Sequence, residues 1–112
     1  MLEISNNIIQ LTRGDTAKIL VTLKNANGTT YTPQAGDSIH FFMKRKYSDA
    51  NPVLVKTIPN DTLLLEIEPT DTATLAYGIY VFDLEMKYAD GVIDTFIQGK
   101  LILNEEVGTW SA

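Results

Sequence analysis

Apolar and polar residues alternate along much of this 112-residue chain, most clearly over residues 80–88. The even positions of that run are Tyr80, Phe82, Leu84, Met86 and Tyr88, and the odd positions are Val81, Asp83, Glu85 and Lys87. A period of two residues is typical of a β-strand with one buried face. Asp90-Gly91 then favours a hairpin turn, because glycine adopts positive φ without strain. Residues 92–98 are predicted to return as the partner strand.

Similar alternation predicts further strands on both sides of this hairpin. They cover Ile8–Thr12 and residues 17–24, 38–46, 53–58, 63–68 and 100–107. Turns rich in Gly, Asn, Asp and Pro separate the segments. Residues 69–76 hold the only predicted helical turn, because Pro69 fits a first helical turn and Thr70 or Asp71 can cap it.

The spacing of these strands, roughly 8–12 residues, is typical of immunoglobulin-like folds. We therefore predict an all-β, two-sheet antiparallel β-sandwich of seven to eight strands, with one short helical turn near residues 70–75. Residues 1–107 form the domain and residues 108–112 a short tail. The predicted core contains Tyr80, Phe82, Leu84 and Met86 beside Ile19, Val21, Phe41, Leu65 and Leu103. Tyr77 or Tyr80 could bond back to the preceding corner of the chain, as a corner tyrosine does in such sandwiches. Tyr80 is preferred because it continues the core stripe, and its hydroxyl is expected to reach a backbone group near residues 70–72.

The charge and cysteine content of the chain limit the kinds of partner and chemistry that we expect. Nine basic and fourteen acidic residues give a net charge of −5, which is unsuited to nucleic acid or an anionic membrane. No apolar run approaches the ~18 residues that a membrane span needs. The chain has no cysteine, which excludes disulfides and thiolate chemistry and fits folding in a reducing cytoplasm.

Three features could carry chemistry, and each also has a structural interpretation. Residues 13–15 spell Arg-Gly-Asp, an integrin-type tripeptide, but the same residues suit a turn, which we favour. His40 is the only histidine and has no second histidine or cysteine with which to share a metal. Asp83 and Glu85, with Asp94 if the hairpin register allows, could form a carboxylate cluster; a solvated strand face is the favoured interpretation.

No motif for phosphate binding, nucleophilic catalysis or metal coordination is present. We therefore predict that the protein is not an enzyme and has no catalytic residue, cofactor or metal. A small basic group at residues 44–46, with Lys56 nearby, is expected to be solvated or to meet a partner's carboxylates.

Apolar residues on the second faces of the strands predict an association surface, because monomers seldom expose large apolar patches. The tail adds a tryptophan, a residue enriched at interface hot spots. Packing of that tryptophan on its own domain is the alternative. The candidate interface residues are Leu20, Phe42, Leu54, Ile102 and Trp110.

Several segments together resemble a known class of domain. They are residues 11–16 (LTRGDT), 27–31 (NGTTY), 36–41 (GDSIHF), 69–84 and 90–96 (DGVIDTF). The chain resembles, over residues 8–107, the small immunoglobulin-like β-sandwich domains of tailed-bacteriophage and prophage virion proteins. The N-terminal domains of upper baseplate and tail-fibre proteins are examples of that class.

The resemblance implies a structural or assembly protein that is made in the bacterial cytoplasm and becomes part of a virion tail, baseplate or fibre. Its expected partners are other virion structural proteins and further copies of itself. The alternative function is an immunoglobulin-like adhesion domain of bacterial surface origin that binds carbohydrate or protein.

Overall fold

The computed structural model describes residues 3–5, 7–25 and 27–108, and the regular secondary structure of this part of the chain is almost entirely β-strand. The elements are β1 (Glu3–Ser5), β2 (Ile8–Thr12), β3 (Ala17–Leu20), β4 (Ser38–Lys44), β5 (Leu54–Ile58), β6 (Leu64–Ile67), α1 (Pro69–Thr72), β7 (Gly78–Lys87) and β8 (Ile93–Asn104). The prediction of an all-β chain with one short helical turn is confirmed.

The strands form a six-stranded main sheet in the order β1-β2-β8-β7-β4-β5 and a two-stranded small sheet made of β3 and β6. Antiparallel pairing was predicted throughout, but the main sheet is mixed because β2 runs parallel to β8. These two strands come from opposite ends of the chain, so no short hairpin forces them to run in opposite directions.

The predicted hairpin lies at the centre of the main sheet. Its turn is closed by the N–H of Tyr88, which donates to the Val92 carbonyl at 2.8 Å. The sequence predicted two separate strands over residues 92–98 and 100–107, whereas β8 is one strand of 12 residues that continues through Gly99. The register between β7 and β8 shifts between Leu84 and Glu85, which marks a β-bulge.

A single hydrophobic core contains side chains from both sheets. The predicted core residues Tyr80, Phe82, Leu84, Met86, Val21, Phe41, Leu65 and Leu103 are all buried in it. Ile19 packs against this cluster but is only half-buried. Phe41 and Phe82 face each other across β4 and β7 with ring centroids 5.4 Å apart, so the alternation along these strands assigned the buried face correctly.

The helical turn α1 connects the small sheet to β7. The carboxylate of Asp71 accepts a hydrogen bond from the Glu68 N–H at 2.8 Å, which caps the turn. Thr72 is fully buried, and its hydroxyl accepts a hydrogen bond from the Gly14 N–H at 2.9 Å. Because α1 has four residues, the described chain contains no helix long enough to cross a bilayer.

Candidate interaction surface on the outer face of the main sheet

The main sheet has a second face that points away from the core, which we call the outer face. Paired residues on adjacent strands project to the same side of a sheet. The register aligns Val55, Phe42, Asp83 and Gln98 across four strands. The neighbouring residues of each strand, such as Phe41 and Leu84, are buried in the core, so the alternation that buries one face necessarily creates the other.

A recess of about 260 Å³ lies on this face. Strands β4 and β7 form its floor, and the loop after β4 forms a wall. The recess is lined by Phe42, Lys44, Tyr47, Ala50, Pro52, Val81, Phe82, Asp83 and Glu85. We call it the outer-face recess.

Short backbone bonds hold the wall in place. The Lys46 N–H donates to the Asp49 carboxylate at 3.1 Å, and the Asp49 N–H returns a bond to the Lys46 carbonyl at 3.1 Å. Val53 then donates to the Met43 carbonyl at 2.8 Å, which brings the chain back to β4. Tyr47, at the tip, keeps 64% of its surface exposed. The loop therefore presents an aromatic side chain beside the sheet.

The floor of the recess holds an incompletely satisfied carboxylate. The Oδ1 atom of Asp83 is buried and has no hydrogen-bond partner among the described residues. Its cross-strand neighbours are Phe42 and Gln98, and a phenylalanine side chain has no hydrogen-bond donor. A buried polar atom without a partner costs free energy. The recess thus combines aromatic surface with two carboxylates, and one oxygen of Asp83 is buried beneath it without a partner.

Apolar side chains continue beyond the recess. Val55 of β5 is exposed beside Phe42, and Ile79 of β7, 54% exposed, lies opposite Ile102 of β8. Ile93 is exposed opposite Lys87 near the hairpin. No described element covers this side of the main sheet, because the small sheet shares the core on the other side.

The five candidate interface residues do not share one surface. Phe42 and Ile102 lie on the outer face, whereas Leu20 lies on the small sheet, next to Leu64 and 68% exposed. Leu54 is paired with Met43 and packs against the core. Trp110 lies outside the described residues.

The carboxylate cluster is only partly assembled. The bulge in β8 places Asp94 opposite Met86, on the core side, while Glu85 lies opposite Thr95. Asp83 and Glu85 therefore share the outer face and Asp94 does not. Among the described residues, no group of three His, Asp or Glu side chains is arranged to hold a metal ion. His40 lies on the outer face with its ring centroid 5.7 Å from that of Phe42.

The Arg-Gly-Asp segment is a turn, as predicted. Gly14 has φ of +84°, and the Asp15 N–H donates to the Thr12 carbonyl at 3.0 Å. The Arg13 guanidinium binds Glu106 at 2.6 Å and the Leu75 carbonyl at 3.0 Å. The bond from Arg13 lowers the pKa of Glu106. Arg13 therefore fastens the turn to the end of β8 and to the segment after α1.

The basic group is also divided between two sides. Lys56 is paired with Phe41 and forms a salt bridge with Asp71 at 2.9 Å. Arg45 donates to the Ile79 carbonyl at 3.2 Å and lies 4.9 Å from the centre of the Tyr80 ring. Lys44 lines the outer-face recess. Lys56 and Arg45 thus make structural contacts, whereas Lys44 faces the recess.

The recess was not recognisable from the sequence, because its wall is a loop without a periodic pattern. The signals for it were Phe42, an apolar residue on the outer side of β4, and the alternating carboxylates Asp83 and Glu85 of β7. No protein-family model matches this chain, and no curated protein matches it either. The geometry of the outer face is therefore the main guide to function.

Proposed function

We propose that this chain is a non-catalytic assembly domain of a tailed-phage or prophage virion that works through protein–protein contacts. In this proposal the two sheets form an immunoglobulin-like sandwich whose outer face docks on another virion protein, and copies of the domain also bind each other. The observation that supports a docking surface is the outer-face recess, together with the exposed apolar residues around it. The resemblance of residues 8–107 to phage sandwich domains supports the setting.

The lining of the recess is suited to binding a side chain of a partner protein. Phe42 and Tyr47 supply apolar area, which is favourable to bury. Asp83 and Glu85 supply acceptors that an incoming Lys, Arg or backbone N–H would satisfy. A stable complex generally buries about 1,200–2,000 Å² in total, with an aromatic or aliphatic centre. The partner is therefore expected to cover the apolar strand residues around the recess as well.

The virion assignment is tested by mass spectrometry of phage particles purified from the bacterium that carries the gene. Peptides of this chain should sediment with intact particles through a density gradient. Their absence from particles in which the other tail proteins are detected would contradict the assignment. Neighbouring capsid, portal or tail genes would agree with it, and a sortase or secretion context would not.

The docking surface is tested separately with Phe42→Ser, which removes the aromatic floor of the recess. Co-purification with products of the adjacent virion genes should be lost, while the circular-dichroism spectrum is retained. Thr57→Ser is the matched control, because Thr57 lies on the same face but outside the recess lining. Equal capture of both variants would exclude the recess as the docking site.

An adhesion domain is the second candidate, and one observation favours it. In the recess, the rings of Phe42 and Tyr47 line the same space as the carboxylates of Asp83 and Glu85. Aromatic faces can stack on the apolar side of a sugar while carboxylates accept from its hydroxyls. Binding on a glycan array that is lost in Tyr47→Ala would favour this function over docking in a virion.

A further inference from the structure

Within the described part of the chain, the small sheet ends in an unpaired strand edge. Strand β3 pairs with β6 on one side, and no described strand pairs with its other side. The Val21 N–H donates to the Leu63 carbonyl at 2.8 Å, which extends the β3–β6 register by one residue. In an antiparallel pair, alternate residues direct their backbone groups to opposite sides. Those of Lys18, Leu20 and Thr22 therefore point to the free edge.

Apolar surface accompanies this edge. Leu20 is 68% exposed and lies opposite Leu64. On the other side of the strand, Ile19 and Val21 border a groove of about 270 Å³ that opens between the two sheets. Phe82 of β7 and Ile97 of β8 line the side of the groove formed by the main sheet. A free edge beside an exposed leucine and an apolar groove is a surface on which another strand can pair.

We propose that β3 pairs antiparallel with β3 of a second copy of this chain, with the two-fold axis at Leu20. In this register the outward backbone groups of Leu20 bond to those of Leu20 in the second copy. The outward backbone groups of Lys18 bond to those of Thr22 in the second copy, and the groups of Thr22 bond to those of Lys18 in the second copy. Every outward N–H and C=O group of the three residues is then paired. A two-fold interface must be self-complementary in this way.

Side chains agree with the register on both faces of the strand. Leu20 meets Leu20, so Leu64 and Leu20 of both copies form one apolar row across a four-stranded sheet. Lys18 meets Thr22, so no two lysines face each other, and Lys18 keeps Glu66 as its neighbour on β6. On the groove side, Ile19 of one copy lies beside Val21 of the other. Edge lysines ordinarily discourage pairing, but here Lys18 lies off the axis.

The inference deepens one part of the proposed function, the binding of further copies, and names the surface responsible. It is independent of docking through the outer face, which lies on the other sheet. If the chain captures its virion partner but does not dimerise through β3, only this inference is refuted. If Phe42→Ser still dimerises but no longer captures the partner, the result concerns only the docking surface on the outer face.

Cysteine cross-linking tests the register, because the full chain has no native cysteine. Two residues opposite each other in a hydrogen-bonded pair have Cα atoms about 5.5 Å apart, within reach of a disulfide. Leu20→Cys should therefore give disulfide-linked dimers under mild oxidation. Thr22→Cys is the control, since two copies of residue 22 would be about 13 Å apart. A mixture of Lys18→Cys and Thr22→Cys should cross-link to each other.

Charge variants test the two-fold axis without oxidation. In sedimentation experiments the wild-type chain should dimerise, and Leu20→Lys and Leu20→Glu should each be monomeric, because like charges meet at the axis. An equimolar mixture of the two variants should recover the dimer. A wild-type protein that stays monomeric at all concentrations would overturn the proposal. Cross-linking of Thr22→Cys as efficient as that of Leu20→Cys would overturn it too, as would a mixture that stays monomeric.

Discussion

The hydroxyl of Tyr80 donates a hydrogen bond to the carbonyl oxygen of Ala76 at 2.5 Å. Tyr80 is only 3% exposed, and Ala76 lies in the segment between α1 and β7. The bond therefore fastens this connection to the strand that it enters. The sequence predicted such a bond from Tyr80, but with a partner near residues 70–72. That partner is wrong, because the chain beyond α1 passes closer to the start of β7.

Replacement of Tyr80 by Phe removes this hydroxyl and leaves the ring in the core. We expect the free energy of unfolding to fall by about 1 kcal/mol, as is typical of a lost hydrogen bond. Urea denaturation of both proteins measures the change. Tyr47→Phe is the control, because Tyr47 is exposed in the loop after β4. Equal stability of Tyr80→Phe and Tyr47→Phe would show that the bond to Ala76 is not stabilising.

The Phe82 ring packs on Phe41 and is 4% exposed. Phe82→Ala should lower the free energy of unfolding by about 3–5 kcal/mol, the usual cost of emptying a packed aromatic site. Phe42→Ala removes a phenylalanine ring from the outer face instead of the core, and it should lower the free energy of unfolding by less. Urea denaturation compares the two variants. A larger loss in Phe42→Ala would mean that the core face of the sheet has been misassigned.

Burial along the central strands could be predicted because it depends on local alternation. In β4 and β7 one side of each strand meets the core, so Phe41 and Phe82 could be assigned from a period of two. The Arg-Gly-Asp turn was also predictable, since glycine at positive φ is a local requirement. The bonds from Arg13 to Glu106 were not predictable, because the two residues are 93 positions apart in the chain.

Other features depend on how distant segments meet. The register shift in β8 turns Asp94 away from Asp83, and no local pattern indicates an inserted residue. The wall of the outer-face recess depends on a loop that returns to Met43. The parallel pairing of β2 with β8 joins opposite ends of the chain. The loop part of the candidate site, which includes Tyr47 and Pro52, therefore became visible only in three dimensions.

Gly99 illustrates such a distant constraint. It is paired with Phe82 inside β8, and a Cβ atom at this position would lie 2.0 Å from the Asn7 carbonyl oxygen and 2.8 Å from the Phe82 ring. The Lys100 N–H donates to the same carbonyl at 3.0 Å. Glycine is therefore required here for the close approach of the chain just before β2, and it does not end a strand.

Gly99→Ala should accordingly destabilise the protein by about 1–3 kcal/mol, the range for overpacking a core. The added methyl group meets a backbone atom, which cannot rotate away as a side chain can. Amide hydrogen exchange should show the loss of protection concentrated in β2 and β8. Gly108→Ala is the control, because nothing lies within 4 Å of a Cβ there. Similar stability of both variants would contradict the proposed contact.

Asp37 joins two loops at one end of the domain, the connection between β3 and β4 and the turn between β7 and β8. Its carboxylate accepts hydrogen bonds from the Tyr31 hydroxyl at 2.5 Å, the Gln34 N–H at 2.8 Å and the Ala89 N–H at 3.2 Å. The bond from Tyr31 is the main cause that lowers the pKa of Asp37, and the backbone donors add to it. The hydrogen bond to Asp37, together with burial and the charge of that carboxylate, raises the pKa of Tyr31 to about 12.

The lowered pKa of Asp37 predicts a loss of stability in acid. A carboxyl whose pKa is lower in the folded state contributes stability above its unfolded pKa, which is about 3.9. That contribution disappears as the pH falls through the folded pKa, because protonation removes the charge that Tyr31 stabilises. The midpoint temperature of thermal unfolding should therefore decrease as the pH is lowered below about 4. Tyr31→Phe should be less stable at neutral pH and lose less between neutral pH and acid, whereas Tyr47→Phe should follow the wild type.

The raised pKa of Tyr31 predicts a loss of stability in alkali. A tyrosine whose folded pKa exceeds its unfolded value of about 10 contributes stability below that value. The contribution is lost as the pH rises from there through about 12, because the phenolate would lie against the Asp37 carboxylate. Burial raises the pKa of Tyr88 as well, so ultraviolet titration of the phenolate absorbance should show more than one late-titrating tyrosine in the wild type. In Asp37→Asn the Tyr31 part of this late absorbance should appear at lower pH, since the charge is gone and the amide oxygen is a weaker acceptor. An unchanged titration in Asp37→Asn would assign the late absorbance to burial rather than to Asp37.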